Sequence, residues 1–222
     1  MTRLLMLVEG QSEEIFVNQT LAPHLAAHGV YAEPILLWTK RLPAGGGYRG
    51  GTSNWGQIRR NLLPLTRDSS AWVTTLLDFY GLPEDVPGYV EAMSPGNPHD
   101  RATQLETRMA LEIGHQRFIP FVALHEFEAL VFCNAQVLAH HFDRADLKEK
   151  VEQIVKMAGG PELINHGKET HPKARLQSLA SEYKETSDGP TLIDKIGIPV
   201  IRAACPHFAA WLERLEALGK ET

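Results

Sequence analysis

Short apolar runs that end on an acid or a glycine alternate along this chain with segments whose apolar residues recur at helical spacing. The run from Arg3 to Val8 stops at Glu9-Gly10, and Phe16, Val17, Leu21 and Leu25 follow at helical intervals until His28-Gly29. This reads as strand, turn, helix. Val30 to Trp38, carrying Ile35, Leu36 and Leu37, reads as a second strand, and Ala71 to Leu77 as a third that leads directly into Asp78. Between them lie a glycine-rich loop, Ala44 to Ser53, and a helix, Trp55 to Leu65. Gly81 to Pro98 is rich in proline and glycine and reads as a long loop with no element of its own. Ala102, Leu105, Met109 and Ile113 mark one face of a helix, and Phe118 to Leu124 reads as a fourth buried strand running into His125-Glu126-Phe127-Glu128. The alternation predicts an α/β fold with a mostly parallel sheet covered by helices on both faces.

From Asp143 onward the pattern is helical, with Leu147, Val151, Ile154 and Val155 on one face, then a polar stretch around Asn165 to Arg175. Phe208, Trp211, Leu212, Leu215 and Leu218 close the chain. These patterns divide the protein into an α/β core over 1–140 and a helical C-terminal part over 141–222 packed on the same core, or else a single domain over 1–222. Gly159-Gly160-Pro161 reads equally as a boundary or as a turn. A chain of 222 residues, 43% apolar and 22% charged, is long enough to bury such a core.

Composition narrows the function classes. Glu9 follows only five apolar residues, too few for a signal peptide, and no apolar run approaches the roughly 18 residues a membrane span needs. The expectation is a cytoplasmic protein with no membrane partner. Cys133 and Cys205 lie far apart without Cys-x-x-Cys spacing, which supports neither a disulfide framework nor a cysteine-based zinc site, and read as buried thiols. A formal net charge of −5 argues against coating nucleic acid by bulk electrostatics, so any such contact has to be local. A cluster of active-site carboxylates would itself lower the net charge while leaving a basic rim.

In a parallel sheet the carboxyl ends of the strands share one edge, and ligands sit just beyond it. Three of the strands end in acids: Glu9 after the first, Asp78 after the third and Glu126 after the fourth, with Glu128 two residues on. Taken singly, each reads as a solvated loop residue or a helix cap. Taken jointly, they would crowd one rim, where carboxylates raise one another's pKa unless a cation neutralises them. Hard oxygen ligands suit Mg²⁺ or Mn²⁺. Ser12 reads as a helix N-cap, which places Glu13 and Glu14 in the first turn, and Glu13 joins the candidate set. Lys173, in the polar stretch after Asn165, ranks first as a catalytic cation directed at a phosphate, with Arg175 and Lys195 as further candidates to bind the substrate phosphate. Arg49, in Gly45-Gly46-Gly47-Tyr48-Arg49-Gly50-Gly51 and close in sequence to Trp55, Arg59 and Arg60, is another. That loop lacks the Gly-Lys-Ser/Thr ending of a P-loop. His125, His140, His141, His166, His171 and His207 show no metalloprotease spacing, so a histidine-bound zinc is not expected.

Val8-Glu9-Gly10-Gln11-Ser12-Glu13 after a strand, with an acid closing a later strand, resembles the Toprim fold of topoisomerases, primases and overcoming-lysogenisation-defect nucleases. In that fold the first Glu and a later Asp-x-Asp hold Mg²⁺. Here Asp78-Phe79-Tyr80 has Tyr at the second acidic place, which leaves Glu126 or Glu128 to replace it. Over nearly its whole length the chain also resembles a bacterial Toprim-related family known only as a domain of unknown function, often encoded beside an ATPase in defence-like gene neighbourhoods. The matching stretches are Val8 to Glu13, Leu77-Asp78-Phe79-Tyr80-Gly81, His125-Glu126-Phe127-Glu128-Ala129-Leu130, Ile164-Asn165 with Pro172-Lys173-Ala174-Arg175-Leu176, and Cys205-Pro206-His207-Phe208. The resemblance implies a Mg²⁺- or Mn²⁺-dependent endonuclease acting on nucleic acid in anti-phage defence, with Glu9, Asp78 and Glu126 or Glu128 as ligands and an ATPase as partner. The missing second Asp points instead to a non-catalytic regulatory or adaptor subunit of such an ATPase.

Overall fold

A computed structural model describes residues 1–41, 47–49, 54–94, 96–164, 167 and 169–220, without the side chains of 39–41 and 47–49. In chain order the first half comprises β1 (Thr2–Val8), α1 (Gln11–Phe16), a π-helical stretch Val17–Leu21, α2 (Ala22–Ala26), β2 (Val30–Leu36), β3 (Trp38–Arg41), β4 (Gly47–Arg49), α3 (Trp55–Thr66) and β5 (Ala71–Asp78). The short helix α4 (Tyr89–Ala92) follows, then α5 (Pro98–Ile113), β6 (Phe118–Ile119), β7 (Val122–Ala123) and a 3₁₀ segment Phe127–Cys133. The rest is helical: α6 (Ala135–His141), α7 (Asp146–Ala158), a 3₁₀ turn Pro161–Leu163, α8 (Pro172–Leu179), α9 (Glu185–Ile196), α10 (Ile198–Ala204) and α11 (Pro206–Ala217).

The main sheet has five strands in the order β2-β1-β5-β6, with β7 also on β5, and every pair in it is parallel. β3 and β4 form a separate antiparallel pair. The expected α/β class with a mostly parallel sheet is what the chain adopts. Side chains alternate across the sheet: Leu4, Met6 and Val8 of β1 join one core with α1 and the C-terminal helices, and Leu7 joins a second with α3 and α5. That two-sided burial is why β1 reads as a continuous apolar run rather than an alternating one. The first core runs from Leu4 to Leu218 and includes Leu147, Ile193 and Trp211. Each such side chain buried in full stabilises the fold by about 1.5–3 kcal/mol.

Several boundaries depart from the pattern. The first helix is broken by a π turn, and its N-cap is Gly10, not Ser12. Glu13 decides this, because its Oε2 accepts the Gly10 N–H at 2.9 Å and so fixes the helix start two residues early. The second strand ends at Leu36, and Trp38 begins β3. The Pro/Gly loop after Asp78 holds one turn of helix, α4, which enters through Gly88 at φ 84. The fourth strand is two fragments, since Pro120 has no N–H to give the ladder. Thr75 substitutes there: its Oγ1 donates to the Phe121 carbonyl and accepts the Phe121 N–H, both at 2.8 Å. Beside it, Thr74 Oγ1 donates to the Ile119 carbonyl at 2.5 Å and accepts the Trp211 Nε1–H at 3.0 Å, tying α11 to the sheet.

Glu162, 6% exposed, caps α11 from outside its own helix. Its two oxygens accept the N–H groups of His207 and Phe208 at 2.9 and 2.8 Å. Just before that helix, Cys205 meets Cys133 with the sulfurs 3.3 Å apart; both are free thiols, and Cys133 is only partly buried. Thr2 Oγ1 donates to the Leu218 carbonyl at 3.0 Å, so β1 starts where α11 ends. No helix among the described residues is long and apolar enough to cross a membrane.

Candidate metal centre

The register of β1 and β5 sets Val8 beside Leu76, and Asp78 stands opposite Ala123 of β7. Glu9 and Asp78 therefore emerge on the same edge, and Asp78 N–H donates to Glu9 Oε2 at 3.3 Å. Asp78 Oδ1 in turn accepts the N–H of Phe127 at 2.8 Å, which pins the 3₁₀ segment carrying Glu128 against the strand end. Glu126, the residue before that segment, accepts from His171 Nδ1 at 2.8 Å and from the Lys173 backbone N–H at 3.0 Å, both through Oε2. A carboxylate at that distance needs the proton on Nδ1, so the 3.4 Å approach of Ala174 N–H to the same nitrogen is not a hydrogen bond. Each of Glu9, Glu13, Asp78 and Glu126 thus engages a backbone N–H through one oxygen.

Burial and mutual repulsion act together on this rim. Glu13, Glu126 and Glu128 are buried, and Glu9 and Asp78 are partly so. Desolvation is the largest influence on Glu13, pushed up to about 7, and on Glu128, pushed up to about 8. It also raises Glu9 and Asp78, with the neighbouring carboxylates adding to the effect. Glu185 at the start of α9 belongs to this field, since its charge raises Glu9, Glu13 and Glu128. The Lys173 ammonium pairs with Glu185. Burial works against that ammonium, but Glu185 and the nearby acids lift its pKa above the ordinary lysine value.

The structure brings Glu9, Glu13, Asp78, Glu126, Glu128 and Lys173 to one edge. Arg175 is half-buried, and its Nε donates to the Thr170 carbonyl at 2.6 Å. Lys195 is exposed, 3.2 Å from His141 Nδ1, and makes no hydrogen bond to a rim acid. The Arg49 side chain, Asn165 and most of the glycine-rich loop lie outside the described residues. Sequence reasoning missed Glu185, which reaches the rim because α9 packs on α1, a contact no local spacing announces. It also missed the pairing of His171 with Glu126 and the stacking of Tyr80 on His171, with ring centroids 5.1 Å apart. Gly81 was a readable signal: a Cβ there would stand 2.9 Å from Glu9 Oε1, so only glycine leaves that carboxylate its place.

The donor set fits a hard divalent cation in its chemistry, being all carboxylate oxygen with a lysine and a histidine at its border. No three of these acids bring one oxygen each within 4.8 Å of the others; among the described residues the trio that does so is His24, His28 and Glu216. Wider spacing of the rim acids is what like charges tethered separately to the backbone adopt.

Fold and rim define an α/β protein with a carboxylate-lined edge at the ends of parallel strands. The chain belongs to the family of the domain of unknown function DUF4276, whose model matches residues 8–216. Among solved structures it is similar to the C-terminal region of the Burkholderia pseudomallei OLD protein, at 14% identity and a TM-score of 0.48 over 99% of each chain. It is similar also to the C-terminal region of the Xanthomonas campestris pv. campestris OLD protein, at 14% identity and a TM-score of 0.48 over 100% of this chain and 98% of that one. No curated protein matches it.

Proposed function

We propose that this protein is a divalent-metal-dependent nuclease of Toprim type, hydrolysing phosphodiester bonds in a nucleic acid with Mg²⁺ or Mn²⁺. The observation that carries the reading is the gathering of Glu9, Glu13, Asp78, Glu126 and Glu128 at one sheet edge, with several pKa values driven upward. A fold that gathers five buried or half-buried carboxylates along one edge bears an electrostatic cost that a bound cation offsets. Glu9, Asp78, Glu126 and Glu128 are the residues to hold it. When bound, such an ion lowers the pKa of water and stabilises charge on the phosphate oxygens.

The side chains supply the rest. Glu13, whose carboxyl is lifted toward neutral by burial among these acids, is the residue to act as general base for an attacking water. Lys173, held at the rim by Glu185 and by its own N–H to Glu126, offers a cation to a phosphate that displaces the Glu185 carboxylate. Tyr80, exposed and stacked on His171, presents an aromatic face at the edge of the same site for an unpaired base. The cytoplasm, anti-phage defence and an ATPase partner belong to this reading.

The test is cleavage of plasmid, linear and single-stranded DNA and of RNA with Mg²⁺ or Mn²⁺, comparing wild type with Glu9→Gln and Asp78→Asn. Cleavage by wild type, reduced at least 100-fold in both variants, is the expected result. Intact substrates in every lane, with a purified ATPase partner supplied, would refute nuclease activity. They would favour the adaptor reading, for which Tyr80 in place of a second Asp is the supporting observation.

A further inference from the structure

A second cluster of ligand-type side chains lies where α2 meets α11, at the opposite end of β1 from the rim. His24 of α2 and His28, one turn on, have ring centroids 4.9 Å apart. His28 Nδ1 donates to the His24 carbonyl at 3.0 Å, which leaves its Nε2 as a lone pair. Glu216 of α11 places Oε1 at 4.0 Å from His28 Nε2 and at 2.7 Å from His24 Nε2, which donates to it and must release that proton to solvent before it can ligate a metal. Side-chain exposures of 23%, 37% and 11% for His24, His28 and Glu216 give solvent ions access from the histidine side.

We propose that His24, His28 and Glu216 form a transition-metal site, for Zn²⁺ foremost, bound through two imidazole Nε2 atoms and one carboxylate oxygen with water completing the shell. Zn–N and Zn–O bonds of about 2.0–2.1 Å put tetrahedral ligands about 3.3 Å apart. The two separations from Glu216 Oε1, 2.7 and 4.0 Å, bracket that value, and the three residues offer one ligand atom each within 4.8 Å of one another, so side-chain rotation suffices to close the site. The His28 Nδ1–H bond to a backbone carbonyl is the outer contact that orients a metal-bound imidazole. Arg202 holds both Glu216 oxygens at 2.9 Å, fixing the carboxylate plane while its charge limits the affinity. Two nitrogens and one oxygen favour Zn²⁺ over Mg²⁺, whereas the all-oxygen rim favours the reverse. The site joins residues 192 positions apart in sequence, so the bound ion stabilises the folded chain.

Titration of the full chain with Co²⁺, read by visible absorption and followed by Zn²⁺ displacement, tests this independently of any cleavage assay. Wild type should give a d–d band of tetrahedral intensity that Zn²⁺ abolishes, and Zn²⁺ but not Mg²⁺ should raise Tm. His28→Ala and His28→Gln, at a side chain 37% exposed, leave the fold intact and should lose both signals. Absence of the band in wild type, or a band and Tm rise that survive both variants, would overturn the assignment.

Discussion

Replacing Glu128 with glutamine removes one ionisable group from the rim while keeping its shape. Glu128 is 4% exposed, and its pKa stands at about 8 in the folded chain against an ordinary 4.5. Between those values the folded protein holds a proton that the unfolded chain has released. A group raised in this direction stabilises the fold most at low pH, and that contribution falls as pH rises through the window, by about 1.4 kcal/mol per unit. Above the folded pKa the loss levels off at about 5 kcal/mol for an isolated group. Glu126, Glu185 and Glu13 share the field, so a single substitution recovers a part, about 2–4 kcal/mol.

Urea unfolding with a chelator present, from about pH 5 to about pH 8, gives the comparison. Near the lower end the variant should match wild type or be slightly less stable, and near the upper end it should be the more stable by the amount above. Other groups act in the same sense in wild type, Glu9, Asp78 and Glu162 among them, all raised chiefly by burial. Glu13 rises to about 7, and His207 is raised by Glu106 against the opposing pull of burial. The difference between the two proteins, rather than the wild-type curve, therefore isolates Glu128. A difference that does not change with pH would refute the argument that the rim carries repelling, desolvated carboxylates.

Gly81→Ala should weaken Mn²⁺ binding by calorimetry at least tenfold with little change in Tm, because the added Cβ lies 2.9 Å from Glu9 Oε1; unaltered affinity would remove Glu9 from the ligand set. Glu162→Ala should cost about 3 kcal/mol by urea unfolding, since two N–H groups at the start of α11 lose a buried carboxylate; a change under about 0.5 kcal/mol would show that water replaces it. Thr74→Val should cost about 1–3 kcal/mol, the Trp211 indole losing its acceptor and the Ile119 carbonyl its donor; an unchanged urea midpoint would count against that pairing.

The parallel sheet was legible because β1 and β5 are buried on both faces and leave a signature in composition alone. Acids at the strand ends were legible for the same reason: once β1 and β5 are parallel neighbours, Glu9 and Asp78 must share an edge. What was hidden depends on contacts between distant helices. Glu185 lies 107 positions beyond Asp78 and reaches the rim only through the packing of α9 on α1. The His24–His28 pair has ordinary helical spacing and gains meaning only from Glu216. The broken fourth strand turned on Pro120 and on two threonine hydroxyls that no periodicity encodes.

The bond between Thr2 and Leu218 has a practical corollary. β1 begins there and runs the full depth of the sheet before Glu9 appears, so both described chain ends emerge on the side away from the acids. An affinity tag or reporter joined at either end would project from that far side and leave the acidic edge clear.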